Sequence, residues 1–296
     1  MDQILNVLVF GLLLGGIYGL VSIGLNLIFG VVRIVNFAQG ELVMFGMYGS
    51  YYAYAFMEWN PYLSVLVVAP LVGLLGMAIQ RLVIQPLHNE PNMQIFATFG
   101  LVIMFQNIML AVSRGEAVSI GGQVGSAVLT VGELKISVVR LVTFCATTLI
   151  TIGLHFFLSR TMAGKSIRAV TQDKRAARVM GINVERTFLL TFCLGAGLAG
   201  MAGALLTPIY SITPTVGSNF ILAAFAVVVL GGLGSVWGAY FGGLIVGVVE
   251  AFAGYYIDPA LKSAIWFIIF LVVLILRPSG LFGQVGAEEV GFREQH

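Results

Sequence analysis

The sequence predicts an all-α, polytopic transmembrane bundle of about eight to ten membrane segments, forming a single domain over residues 1–296. Three observations carry that expectation. The chain is 59% hydrophobic and only 9% charged, where soluble domains carry about 25% charged residues, and its mean hydropathy is +1.00. Its apolar runs are continuous, not alternating as in a membrane β-barrel. Its positive charge is concentrated, with seven of the fifteen Lys and Arg in residues 159–187. A chain this apolar cannot cover a water-facing surface. A basic loop between membrane-length runs stays cytoplasmic, because Lys and Arg near span ends resist translocation.

The elements follow in order. The N-terminus, MDQILN, has no basic residue before Arg33, so it lacks the positive region of a signal peptide and the first run, 4–29, reads as a retained span. A polar break at 33–41 precedes a run at 42–56. Pro61 opens a third run ending near Ile84, residues 85–92 form a turn, and a fourth run covers 95–112. The polar stretch 113–137 contains an alternating segment, 127–136, that predicts an external hairpin. A fifth span covers 138–158. After the basic loop come runs at 188–206, 220–230, 236–253 and 265–276, closed by Arg277 and Pro278. Counting every run as a crossing gives nine, with an external N-terminus and a cytoplasmic C-terminus. Eleven Lys and Arg then lie inside, against Arg114, Lys135, Arg140 and Lys262 outside, the asymmetry that orients such chains. The runs beside 33–41 and 231–235 are short or interrupted, which suits broken or re-entrant helices as well as full spans.

Small residues recur four apart at Gly11/Gly15/Gly19, Gly195/Ala199/Gly203, Gly238/Gly242 and Gly243/Gly247. This spacing lets helix backbones approach closely, and packing within the chain is the expected use. Cys145 and Cys193 lie in apolar runs and read as buried thiols. Residues 40–49 and 234–242 share a Gly-rich pattern after a break, a hint of internal repetition of the kind that points to a transport path.

Candidate functional residues fall in two groups. Asn36, Gln39 and Glu41 crowd the first break, and Gly234 and Ser235 occupy the second. Polar groups in such numbers are costly at membrane depth unless they line a cavity or meet protein. Glu41 also opens a helix, where a carboxylate suits the positive dipole end, so a cap and a translocation path both remain open. Glu250, inside a span, reads either as a functional acid or as a group hydrogen-bonded within the bundle. The second group lies within the basic loop. Asp173 caps a short helix over 174–180, and Gly181 supplies the left-handed position that ends it. Ala176, Ala177 and Met180 are expected to form one apolar edge suited to a groove on another protein. No Ser/His/Asp or His-Glu-x-x-His arrangement, no metal-ligand spacing and no phosphate loop is present, so an enzyme is not expected and the chain does not hydrolyse ATP itself.

The pattern Asp173-x-x-Ala176-Ala177-x-x-x-Gly181 resembles the coupling-loop signature of bacterial ABC-importer permeases. Gly24-Leu-Asn26-Leu-Ile-Phe-Gly30, Asn36-Phe-Ala-Gln39-Gly40-Glu41, and the segment 227–235 with Gly238, Gly242 and Gly243 resemble the branched-chain amino-acid permeases. One departure is Gln39, where many relatives carry histidine. The resemblance spans nearly the whole chain. It implies a permease subunit in a bacterial inner membrane, working with a second related permease, two ATPases that bind the ATP, and a periplasmic or extracellular solute-binding protein. Lipid surrounds such a subunit; it binds no cofactor, and no nucleic acid is involved. Residues 159–187 become the cytoplasmic coupling loop, with Asp173, Ala176, Ala177, Met180 and Gly181 facing the ATPase. Permeases for urea, amides and other amino acids share the family. An ion-coupled secondary transporter using Glu41 and Glu250 is the alternative from outside it.

Overall fold

The computed structural model describes residues 2–88, 90–120, 127–131, 134–258, 262–276 and 280–282. The described residues are helical almost throughout. Helix α1 (Asp2–Val32) is followed by α2 (Gln39–Met57), α3 (Pro61–Ile79) and α4 (Pro91–Ser113). Strands β1 (Val128–Val131) and β2 (Leu134–Ser137) precede α5 (Val138–Arg160), α6 (Met162–Gln172), α7 (Lys174–Val179) and α8 (Val184–Leu206). Helices α9 (Val216–Gly231), α10 (Val236–Tyr256) and α11 (Lys262–Leu276) complete the order. Among the described residues six helices are long and apolar enough to cross a membrane, and 216–231 and 267–276 are shorter apolar helices. Helix α2, 19 residues long but less apolar, packs among them, so the described residues form the expected polytopic helical bundle. The closing residues Arg277 and Pro278 and the end of the chain lie outside the described residues.

Local chemistry sets the boundaries. Asn60 accepts from the Tyr62 N–H at 3.0 Å, and Pro61 starts α3, where a missing N–H is harmless. The end of α3 widens into a π turn at Gln80–Ile84 and a 3-10 turn at Gln85–Leu87, so the turn expected at 85–92 is partly helical before Pro91 opens α4. Strands β1 and β2 form the expected hairpin, pairing Val128 with Ser137 and Leu129 with Ile136. It lies at the end of the bundle opposite the basic segment. There, Val118 also pairs with Ile212.

The small residues expected to pack within the chain do so. A Cβ on Gly15 would lie 2.6 Å from Leu244 Cα, and one on Gly11 2.6 Å from Val248 Cα, so α1 and α10 touch backbone to backbone. Gly195 of α8 meets Gly24 of α1, and Gly203 of α8 meets Val43 and Gly46 of α2. Only small residues permit this approach, and in lipid such contact rather than water exclusion holds helices together. The inner layer is therefore α1, α2, α8, α9 and α10. Helices α4 and α5 lie outside it, with 22% and 28% of their apolar windows buried; their remaining faces suit lipid. Cys145 departs from the expected burial. It is exposed on α5, Cys193 is half-buried, and both are free thiols. An apolar run fixes which residues are in the membrane, not which face the protein.

The basic segment also differs from the expected loop with one short helix. Met162–Gln172 forms α6, capped by Thr161, which accepts from the Gly164 N–H at 3.0 Å. Gly164, Ile167 and Val170 face inward. The signal was their spacing of three, obscured by the charged residues between them.

Candidate functional site

Helix α1 ends at Val32, whose carbonyl accepts from Lys174 Nζ at 3.5 Å. Arg33 takes the left-handed conformation (φ 63°) and turns the chain. Residues 34–38 carry it back beside α1, and α2 begins at Gln39. Gln39 Nε2 donates to the Gly195 carbonyl at 3.0 Å, and Gly195 is midway along α8. The second membrane segment thus combines a non-helical entry with a helix that starts deep in the bundle. Asn36 shapes the entry, its Oδ1 accepting from the Ala38 N–H at 3.1 Å.

Gln39 and Glu41 do not share a pocket. Two residues apart on a helix, they point to nearly opposite sides. Gln39 faces α1 and α8, whereas Glu41 Oε1 accepts from Gln106 Nε2 of α4 at 2.9 Å. The same Gln106 nitrogen donates to Ser218 Oγ of α9 at 3.1 Å. Beneath this node the first turns of α2 and α9 cross through their glycines: a Cβ on Gly217 would lie 2.6 Å from the Gly40 carbonyl oxygen. The short repeat read from 40–49 and 234–242 is not what meets here; Gly40 packs on Gly217.

The second break joins α9 to α10. Gly232 and Gly234 have φ of 99° and 84°, and Ser235 caps α10 by accepting from the Gly238 N–H at 3.0 Å. Asn26 of α1 holds the turn. Its Nδ2 donates to the carbonyls of Gly232 (3.2 Å) and Ser235 (2.8 Å), while its Oδ1 accepts from the Gly234 N–H at 2.6 Å. Both breaks therefore flank the last third of α1. Reasoning from sequence missed Asn26, Gln106 and Ser218 as functional candidates. Asn26 and Gln106 were visible as amides within apolar runs, but their partners lie far away in the chain. Glu250 hydrogen-bonds Tyr18 across the α1–α10 contact, away from both breaks.

At the basic end Asp173 caps α7, its Oδ1 accepting from the Arg175 and Ala176 N–H groups at 2.7 and 2.9 Å. The Ala176 bond, followed by the Arg175 bond, holds the Asp173 carboxyl below the usual carboxylate range. Gly181 has φ 82°, and the Ile182 N–H returns to the Ala177 carbonyl at 3.0 Å, the closure expected of a helix ended by a left-handed glycine. The edge expected from Ala176, Ala177 and Met180 needs correcting. Ala177 is 4% exposed and packs on the core of this chain. The outward apolar face is Ala176, Val179 and Met180, at spacings of three and four, with Val179 85% and Met180 80% exposed. Nearby, burial, then Lys174 and Arg178, hold His88 below the usual imidazole range.

A family model described as branched-chain amino acid transport system / permease component matches residues 7–274. The chain belongs to that family. This permease is 32% identical to the high-affinity branched-chain amino acid transport system permease protein LivH of Salmonella typhimurium, over 95% of this chain and 96% of the relative. It is 32% identical to the corresponding protein BraD of Pseudomonas aeruginosa, over 97% and 98%. It is 29% identical to the probable branched-chain amino acid transport permease protein LivH of Methanocaldococcus jannaschii, over 89% and 88%. No solved structure matches the permease.

The cap makes a pH prediction. Because Asp173 titrates below its unfolded value, its support of α7 is fully present at neutral pH and down to the ordinary carboxylate range. Below the unfolded value it declines steadily, and it is gone once pH has fallen through the lowered native value. Amide hydrogen exchange at Arg175 and Ala176 should stay protected in Asp173→Asn, a good cap at any pH, and become fast in Asp173→Ala.

Proposed function

We propose that this permease is the translocation subunit of an ATP-driven importer of branched-chain amino acids in a bacterial inner membrane. It pairs with a second, related permease. Two ATPases, which bind and hydrolyse the ATP, dock at its basic end, and an external binding protein delivers solute to the hairpin end. The basic end and the C-terminus are cytoplasmic, and the chain carries no cofactor. Asn36, Gln39, Glu41, Gly234 and Ser235 border the path, and residues 173–181 transmit the ATPase motion.

The observation that carries this reading is α7. A helix of six residues is too short to persist alone in water, yet this one is capped at both ends, anchored through Ala177, and presents exposed Val179 and Met180 from a basic surface. That suits a groove on a soluble partner. Family membership supports the transport reading, and the eleven-to-four split of Lys and Arg supports a cytoplasmic basic end.

Met180→Glu should weaken co-purification with the ATPases by about tenfold or more, as for an anchor residue at an interface, while the permease remains folded. Gly181→Val should act likewise. No atom lies within 4 Å of its added Cβ, so its effect is conformational, from a β-branched residue at positive φ. Full association and uptake in both variants would remove 173–181 from coupling. Orientation is checked with single cysteines replacing Lys165 and Glu116, in a background lacking Cys145 and Cys193. A membrane-impermeant thiol reagent should label position 116 but not 165 in intact cells.

A further inference from the structure

We propose that Glu41, Gln106 and Ser218 form a solute subsite whose free carboxylate oxygen takes the ammonium group of an amino acid in transit; the inference rests on the transport reading above and names what one point of the path recognises. Glu41 is 1% exposed. Its Oε1 is held by Gln106 at 2.9 Å, while its Oε2 is buried with no hydrogen-bond partner. A buried carboxylate oxygen needs a donor, and a charged donor satisfies it best.

The surroundings hold the carboxylate without filling it. Gln106 divides one nitrogen between Glu41 and Ser218, which fixes Oε1 and leaves Oε2 open. The two crossing helix starts favour negative charge at this point. The approach is polar as well: Ser218 and Gln106 are half-buried, and Asn219, the next residue of an otherwise apolar helix, is exposed. An exposed amide on a membrane helix faces a cavity or a partner rather than lipid.

The test uses the complete importer, with its ATPases and binding protein, in vesicles. In Asn219→Cys, built in a background lacking Cys145 and Cys193, a bulky thiol reagent should block leucine uptake relative to the unreacted variant; uptake unchanged by complete modification would overturn the path reading and this inference together. With the block established, leucine added in excess with the binding protein omitted should slow that modification, and 4-methylpentanoate under the same conditions, which keeps the carboxylate and side chain but lacks the amine, should not. Equal protection by the two, or none, would overturn the ammonium subsite and leave the path reading standing. Adding Glu41→Gln should abolish leucine's protection. In otherwise unmodified importer the same substitution should lower uptake about tenfold or more, the factor implied by losing a hydrogen bond to a charged group, with binding-protein-stimulated ATP hydrolysis retained. Wild-type uptake in Glu41→Gln would overturn the subsite. If Glu41→Gln does not assemble, the leucine and 4-methylpentanoate comparison decides on its own.

Discussion

Gly217→Val is expected to eliminate folded permease from the membrane. A Cβ at position 217 would lie 2.6 Å from the Gly40 oxygen, 2.7 Å from its carbonyl carbon and 3.0 Å from the Glu41 nitrogen. All three are backbone atoms, so no side chain can swing aside. The first turns of α2 and α9 would have to separate, which breaks the Gln106 bridge. Overpacking in a tight core costs about 1–3 kcal/mol, occasionally more, and here it falls where two broken segments meet. Gly217→Ala should already lower the unfolding temperature. Gly100→Ala and Gly153→Ala are the controls, since nothing lies within 4 Å of a Cβ at either position, and both should be neutral. Fluorescence-detected size exclusion after heating ranks the four variants. A folded, active Gly217→Val would show that the two helix starts do not touch.

Asn26→Leu should have the second-largest effect. The substitution orphans the carbonyls of Gly232 and Ser235 and the Gly234 N–H, each bonded to Asn26 at 3.2 Å or less. Leaving a buried polar group unpaired costs about 1–3 kcal/mol. Cavity water or partners found by a relaxed turn offset part of three such losses, as measured hydrogen-bond energies in membrane proteins suggest. The expected net loss is about 2–4 kcal/mol, with the α9–α10 turn released from α1. Asn26→Asp separates geometry from volume. It keeps an acceptor for Gly234 but sets a carboxylate against two carbonyl oxygens, so it should not rescue. Stability and uptake should fall together in both variants. Loss of uptake at unchanged stability would assign Asn26 to the solute path rather than to holding the break.

Much of this fold was legible because one property, continuous apolarity, marks most of it. The spans, both breaks, the hairpin and the cap at Asp173 each have a local cause, and the sequence shows local causes. Asn26 shows where that reading stops: it stands out as polar, but its partners are more than 200 residues away. Glu41 was visible as a candidate, yet only the packing of α4 and α9 shows that it faces Gln106 and Ser218 while Gln39 turns toward α8. Ala177 failed for a related reason. A single turn of helix offers several apolar faces, and the neighbours that bury one of them come from elsewhere in the chain. Helix α6 was missed because its inward face has only three small or branched residues among charged ones.

ATP-driven import is measured most directly as leucine accumulation in vesicles that contain the permease, a second permease and ATPases, with binding protein outside and ATP inside. Accumulation should require both ATP and binding protein and persist when ionophores collapse every ion gradient. Accumulation driven by a proton or sodium gradient without ATP would contradict ATP-driven import.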